Sequence, residues 1–343
     1  MNRKKFLGTT FPMLAAPGLH AMIPEAIEQS SGHASFRIPR PLHKGDTVGI
    51  TCPAGYITAA DTEPAIKQLK AWGFRVALGN TIGRRNFTFG GTDEERLNDL
   101  QQMLDDRNIR AILFARGGYG AVRIIDKLNF EKFRQHPKWI IGFSDITTLH
   151  CHIHRQLGIA TLHAKMCNSF PAEPQGATEE QRIGIESIRQ CLTGEDFNYT
   201  APPHPANRIG KASGVLIGGN LSIIESLAGS RSDINTDGKI LFLEDTSEYL
   251  YNIDRMFWNL KRSGKLSRLA GLIIGGFNIK KEDDPDDTFG IDLTGIVNEK
   301  VKGYRYPVCF GFPVGHQKNN QALPCSVNHR LIVSAKGTRL QKK

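Results

Sequence analysis

Three polar side chains in this sequence, each placed after a run of apolar residues, could together carry out acyl transfer. Ser144 follows the run WIIGF, Glu244 follows ILFL, and His316 follows FPVG in a polar loop. A serine hydroxyl becomes a nucleophile when an imidazole accepts its proton, and a carboxylate fixes the tautomer of that imidazole. Asp145 also matters, because the N–H group after a nucleophilic serine can form half of an oxyanion hole.

Each of these residues also has a purely structural interpretation. Ser144 or Asp145 could cap the helix that follows, and this is the favoured interpretation of that segment taken alone. Glu244 and Asp245 could both be helix caps, or ion-pair partners of Arg255. Of the two carboxylates, we expect Glu244 to point inward and Asp245 to cap a helix. The combination of a serine, an acid and a histidine, each at the end of an apolar strand, favours a cleft enzyme.

A glycine-rich loop, ARGGYGAVR (115–123), ends the strand before the serine-bearing strand. Because strand-to-helix loops of a parallel sheet meet at its carboxyl edge, N–H groups of this loop could supply the other half of an oxyanion hole. The loop could instead hold a phosphate. However, it lacks the GxxxxGK[ST] pattern, and GGYG is a weak dinucleotide signal.

Several histidines lie close together just after the serine. His150 and His154 share one face of the predicted helix, where a metal pair could bind. A third ligand is not evident in the sequence, and a polar helix face is the preferred interpretation. The sequence therefore predicts no metal and no cofactor.

Strands alternate with helices along the first half of the chain, including a helix predicted over AVRIIDKLNFEKF (121–133). Residues 40–170 therefore predict an α/β domain with a parallel sheet, of the flavodoxin or glutamine-amidotransferase type, that carries the nucleophile. Residues 171–204 predict a proline-rich linker region around one helix. Residues 205–335 predict a smaller, strand-rich α/β domain that carries the acid and the histidine.

Composition limits the partners of the protein. The net charge is +10, but Lys and Arg are scattered and no basic stripe carries aromatic residues, so nucleic acid is not a predicted partner. No apolar run reaches the roughly 18 residues of a membrane-spanning helix. The six cysteines are widely spaced and predict free thiols. The leader MNRKKFLGTTFPMLAAPGLHA, within residues 1–35, predicts export to the periplasm by a Sec or Tat-like signal; a disordered tail on a cytoplasmic protein is the alternative.

Six segments together resemble the LD-carboxypeptidase family of serine peptidases, which includes the microcin C immunity peptidases. They are KGDTVGITCPAG, ILFARGGYGAVRIID, KWIIGFSDITTLH, GVLIGGNLSIIESLAGS, ILFLEDTSEYLYNIDRMFWNL and FPVGHQKNNQALP, and they span about residues 40–335. The resemblance implies an α/β N-terminal domain, a smaller strand-rich C-terminal domain, and a homodimer.

The resemblance also implies roles for individual residues. Ser144 would be the nucleophile, His316 the general base and then acid, and Glu244 the residue that orients the histidine. The family hydrolyses the amide between an L-centre and a D-residue, typically releasing D-alanine from a murein tetrapeptide, and needs no metal. Backbone N–H groups of Asp145 and of the Gly117–Gly118 turn would hold the oxyanion. Asn220 would contact the substrate.

Two points stay open within this resemblance. An exopeptidase must neutralise the free carboxylate of its substrate, and Arg116 and Arg123 beside the glycine loop are chemically suited to that task. The substrate itself could be a murein peptide or another amide, such as a peptide–nucleotide antibiotic. A protein that binds murein peptides without cutting them is a third hypothesis. Aromatic residues able to stack on a base are few near the motifs, which favours the murein peptide.

Overall fold

The structure, a computed structural model, describes residues 36–173, 176–195, 198–281, 283–284, 286 and 288–343. The export signal predicted for residues 1–35 lies outside the described residues. Two β-sheets, each with helices packed on it, make up the described part of the chain. Both sheets belong to one compact unit. None of the described helices combines the length and apolar character that crossing a bilayer requires.

Eight helices and thirteen strands are numbered here in chain order over the described residues. The helices are α1 (Ala59–Ala71), α2 (Asp93–Asp105), α3 (Glu131–Gln135), α4 (Thr147–Leu157), α5 (Glu179–Thr193), α6 (Leu221–Ser226), α7 (Leu250–Arg262) and α8 (Leu293–Val301). The strands are β1 (Thr47–Thr51), β2 (Arg75–Leu78), β3 (Ile109–Phe114), β4 (Trp139–Gly142), β5 (Thr161–His163), β6 (Asn198–Ala201), β7 (Gly210–Asn220), β8 (Ile240–Glu248), β9 (Gly271–Ile279), β10 (Val308–Cys309), β11 (Leu323–Cys325), β12 (Val327–Ser334) and β13 (Gly337–Lys342).

The first sheet has the strand order β2-β1-β3-β4-β5-β11, and its first five strands are parallel. Short apolar strands buried on both faces are typical of a parallel sheet covered by helices. Helices α1 and α5 pack on one face, and α2 and α4 pack on the other. Thr58 and Thr92 each form a capping box, which fixes where α1 and α2 begin. The parallel order brings the carboxyl ends of β1, β3, β4 and β5 to one edge.

The second sheet has the strand order β10-β9-β8-β7-β12-β13-β6. Strands β7 to β10 run parallel, whereas β12, β13 and β6 join it by antiparallel pairing. Helices α6, α7 and α8 cover one face of this sheet. The amphipathic pattern of α7, with Ile253, Phe257 and Leu260 buried on one stripe, explains how that helix docks.

One late segment joins the two sheets. Strand β11 pairs antiparallel with β5 at the edge of the first sheet, and β12, only one residue further on, pairs with β7 in the second. Ser326, between them, has a φ of +64°. The side chains of Leu323 and Cys325 pack in the same apolar cluster as strands of the second sheet. The chain therefore passes directly from one sheet to the other.

The predicted fold class, an α/β fold with a parallel N-terminal sheet and a strand-rich C-terminal part, is confirmed. The predicted domain boundaries stay predictions, although the region 171–204 contains α5, whose Ile185 and Ile188 lie in the core of the first sheet. The helix predicted over 121–133 is wrong. That segment forms two 3₁₀ turns and then α3, because Leu128 is extended and the side chain of Asn129 accepts the N–H of Glu131.

Candidate active site

Ser144 lies on a sharp turn between a buried strand and a buried helix. Strand β4 ends at Gly142, a 3₁₀ turn begins at Ser144, and α4 begins three residues later. Ser144 has a φ of +61°, a left-handed conformation that costs a residue with a side chain about 1–3 kcal/mol. A Cβ on Gly142 would lie 2.9 Å from the side chain of Ile146, which explains the glycine there. This is the geometry of a nucleophile elbow.

Neither Ser144 nor Asp145 caps α4, so the capping interpretation is wrong. The helix begins after Ile146 and has no side-chain capping hydrogen bond. The buried carboxylate of Asp145 instead accepts the N–H of Ala121 through Oδ2 at 2.8 Å. Burial raises the pKa of Asp145 to about 6. Asp145 therefore ties the serine turn to the glycine-rich loop.

The glycine-rich loop lies directly against the serine. A Cβ on Gly117 would lie 3.1 Å from Cβ and 3.3 Å from Oγ of Ser144, so a larger residue would crowd the hydroxyl. Gly118 has a φ of +96° and is exposed. Among the described residues, the N–H group of Gly118 has no hydrogen-bond acceptor. This donor beside the serine fits the predicted oxyanion hole.

Arg96, which the sequence analysis missed, holds this loop in place. Its guanidinium is fully buried and donates to the carbonyl of Gly120 at 3.0 Å, to the carbonyl of Pro53, and to the carbonyl of Gly91 at 3.3 Å. It also pairs with Asp93. Nothing in the pattern of α2 distinguishes this arginine from a solvent-exposed one, because an exposed arginine could also pair with Asp93, and the carbonyls of Pro53 and Gly120 come from loops distant in sequence.

The predicted acid and histidine are in contact. Nδ1 of His316 donates to Oε2 of Glu244 at 2.5 Å, which leaves Nε2 as the nitrogen able to accept a proton. Glu244 is completely buried, and its Oε1 has no hydrogen-bond partner among the described residues. The His316 ring, 19% exposed, lies 4.8 Å between centroids from Phe143, the residue before Ser144. The histidine loop approaches closely because Gly315, with a φ of +98°, lies against Glu244.

Asp245 points away from this pair and fixes the turn between β7 and α6. Its carboxylate accepts Nδ2 of Asn220 at 2.8 Å and the N–H of Ser222, in the first turn of α6, at 3.0 Å. Burial raises the pKa of Asp245 to about 6. The N–H of Asn220 donates to Oγ1 of Thr147, at the start of α4, at 3.0 Å. Asn220 therefore links the serine turn to the second sheet, and its predicted contact with substrate stays a prediction.

The two arginines beside the glycine loop differ in their contacts. Nε of Arg123 donates to both carboxylate oxygens of Asp93, at 2.9 and 3.0 Å. Arg116 is exposed; it donates to the carbonyl of Tyr56 at 3.1 Å and lies over the Tyr56 ring. Of the two, Arg116 is the one that has no carboxylate partner within the described part of the chain.

The histidines of α4 each have their own structural partner. Nε2 of His150 donates to the carbonyl of Gly142 at 2.9 Å, and Nδ1 of His154 bonds Oγ of Ser326 at 2.8 Å. Burial lowers the pKa of both histidines to about 4. Within the described ranges, no three His, Cys, Asp or Glu side chains are grouped as a metal site requires.

Models of the two LD-carboxypeptidase domains match most of this chain. The N-terminal domain model matches residues 48–164, and the C-terminal domain model matches residues 213–331. The chain belongs to the LD-carboxypeptidase family. The predicted family resemblance is thus confirmed, and each domain model covers the elements that carry one part of the site: Ser144 in the first, Glu244 and His316 in the second.

Individual members of the LD-carboxypeptidase family are similar along nearly their whole length. A probable murein peptide carboxypeptidase from Bacillus subtilis is 35% identical over 292 residues, which cover 83% of this chain and 88% of the relative. The microcin C7 self-immunity protein of Escherichia coli is 26% identical, and its alignment covers 84% of this chain and 90% of that protein. The crystal structure of a muramoyltetrapeptide carboxypeptidase from Oxalobacter formigenes has a TM-score of 0.76 at 26% identity, covering 86% of this chain and 98% of that one.

Proposed function

We propose that this protein is a serine LD-carboxypeptidase that releases a C-terminal D-amino acid, D-alanine, from a murein tetrapeptide. The observation that carries the proposal is the buried Glu244–His316 pair next to the strained turn of Ser144. A buried carboxylate on an imidazole, beside a serine held in an elbow, has the chemistry of acyl transfer. The names of the similar carboxypeptidases support the choice of substrate.

In the proposed reaction, Oγ of Ser144 attacks the carbonyl of the L-centre that precedes the D-residue, while Nε2 of His316 accepts its proton. Glu244 stabilises the imidazolium that forms. The N–H groups of Gly118 and Asp145 hold the oxyanion of the tetrahedral intermediate. The C–N bond then breaks, His316 gives its proton to the leaving amine, and the shortened peptide remains as an ester on Ser144. Water, deprotonated by the same histidine, hydrolyses that ester.

A defined L,D-tetrapeptide tests the proposal directly. Mass analysis should show loss of one D-alanine, a serine-directed phosphonate should label Ser144, and Ser144→Ala should reduce turnover by several orders of magnitude with little effect on binding. Full activity of Ser144→Ala would refute the scheme. Tight binding of the tetrapeptide without D-alanine release, and without phosphonate labelling, would identify a binding protein instead.

A second candidate is the same triad acting on a peptide–nucleotide conjugate. One observation favours it: Tyr119, in the glycine-rich loop itself, is 52% exposed, so an aromatic face able to stack on a base exists beside the site. The similarity to the microcin C7 self-immunity protein supports the same idea. Comparing kcat/KM for the tetrapeptide and for an aminoacyl sulfamoyl adenosine decides between the two substrates.

We propose that the protein is exported and meets its substrate in the periplasm. The support is the basic and apolar leader at residues 1–21. Expression with and without residues 1–35, followed by cell fractionation and N-terminal mass analysis, tests this. A full-length chain that stays in the cytoplasm would contradict it.

A further inference from the structure

Four lysines are buried among the described residues, and one of them differs from the others. Lys138 donates to the carbonyls of Met103 and Asp106, at 2.8 and 2.6 Å. Lys265 and Lys300 pair with carboxylates. Lys165, only 7% exposed, has no hydrogen-bond or ion-pair partner within the described part of the chain. A charged side chain that is mostly buried is costly unless it is paired, so the structure leaves this lysine unexplained.

The position of Lys165 connects it to the candidate active site on the serine side. It comes two residues after the end of β5, which is the neighbour of the serine-bearing strand β4. Its chain neighbour, Met166, reaches the serine: the position of a Cβ on Gly117 is 3.1 Å from Cε of Met166 and 3.1 Å from Cβ of Ser144. Lys165 therefore leaves the first sheet at the edge that carries the nucleophile, while its own side chain lies on the side of α5, near Gly184.

Its side chain also reaches the segment that carries the histidine. Cε of Lys165 lies 3.2 Å from the position of a Cβ on Gly184, and the carbonyl of Asn320 lies 2.8 Å from the same position. Asn320 in turn accepts the N–H of Gly315, next to His316, through its side chain at 2.9 Å. The Cε atom of Lys165 thus lies against α5, next to the segment that follows His316.

We propose that Lys165 is a specificity-determining residue that binds the free C-terminal carboxylate of the substrate, an inference that rests on the proposed function. An exopeptidase cleaves only next to a chain end, and a buried cation without an internal partner selects that anionic end. Arg116 is exposed and held by Tyr56, so its charge is more screened by water. Burial lowers the pKa of the Lys165 amine, and an arriving carboxylate would raise it again.

The test compares two substrates that differ only at the chain end: a murein tetrapeptide with a free C-terminal carboxylate and the same tetrapeptide as its C-terminal amide. Lys165→Met keeps the length of the side chain and removes the charge. We expect it to raise KM for the free acid by about 10- to 100-fold, the value of a lost charge-assisted pair, with little change in kcat. Turnover of the amide should be the same in wild type and variant, and Lys165→Arg should restore part of the loss.

Lys138→Met is the matched control, since it also removes a buried lysine but breaks hydrogen bonds to carbonyls. It should lower the melting temperature without changing the ratio of KM values for the two substrates. Lys165→Met should be at least as stable as wild type, because no partner is left unpaired. Equal losses on both substrates, or an unchanged KM for the free acid, would overturn the inference.

Failure of the proposed function can be told apart from failure of this inference. If the wild type releases no D-alanine, calorimetric titration of both tetrapeptides into wild type and Lys165→Met measures the same selectivity without turnover. Preference for the free acid that is lost in Lys165→Met supports the inference even then. Equal binding of acid and amide to the wild type, or no binding of either, would overturn it.

Discussion

Replacing Glu244 by glutamine removes the negative charge that faces His316 while preserving the shape of the side chain. In the proposed mechanism, His316 accepts the serine proton, and the imidazolium that forms has its Nδ1 2.5 Å from Oε2 of Glu244. With the two charges centred about 4 Å apart and an effective dielectric constant of about 20, their attraction is worth about 4 kcal/mol. Losing it raises the barrier by the same amount, so Glu244→Gln should lower kcat about a thousandfold.

The assay is D-alanine release from a murein tetrapeptide, with kcat and KM determined separately. KM should change little, because the charge is needed only after proton transfer. Asp99→Asn is the control: Asp99 is also a buried carboxylate, but it accepts the hydroxyl of Thr51 at 2.7 Å and the N–H of Asn80 at 2.7 Å, and none of the described histidines is its partner. The Asp99→Asn variant should have a lower free energy of unfolding and an unchanged kcat. A kcat of Glu244→Gln within about tenfold of wild type would refute the electrostatic role given to Glu244.

Three further outcomes follow from the structure. Ser144→Gly should abolish D-alanine release yet raise the free energy of unfolding by about 1 kcal/mol, because glycine adopts the left-handed backbone conformation without strain. If urea titration showed Ser144→Gly to be less stable than Ser144→Ala, the backbone of Ser144 would not be strained as described. Gly315→Ala should lower the free energy of unfolding by about 2 kcal/mol or more and strongly reduce kcat, because the added Cβ would overlap the side chain of Glu244. Normal activity of this variant would show that the histidine loop can move to accommodate the methyl group. The pKa of His150 is about 4 in the folded protein, against 6.5 for an unperturbed histidine. The contribution of the neutral His150 to the free energy of unfolding, on the order of 3 kcal/mol, is therefore fully present above pH 6.5 and is lost as the pH falls through about 4. His150→Gln, which retains a donor for the carbonyl of Gly142, should lose less stability than wild type between pH 7 and pH 4.5 in chemical unfolding; an equal loss would refute this.

The sequence was informative where a candidate site residue directly follows a run of apolar residues. Apolar runs marked β4 and β8, although β8 does not end at its apolar run but continues through Glu244 to Glu248. The expected pairing of Glu244 with His316 is nevertheless found in the structure. The sequence also separated Glu244 from Asp245, because side chains alternate along a strand and only one of two successive carboxylates can face the histidine.

What the sequence did not reveal depends on contacts between distant segments. Arg96 and Lys165 are recognisable only from burial and from their partners or lack of them, and neither property can be read from neighbouring residues. The segment 121–133 has a helical pattern, but the side chain of Asn129 and the extended Leu128 divide it. Its replacement by short turns keeps Ala121 in position to bind Asp145.

The passage of the chain from β11 to β12 has a consequence for biosynthesis. The strand that covers the open side of β5 is made only when translation reaches residue 325, long after Ser144 has been synthesised. Until then β5 presents an unpaired edge, which can associate with other nascent chains. His316 is also added late. In the mechanism proposed above, Ser144 therefore gains its base only after most of the polypeptide has been synthesised.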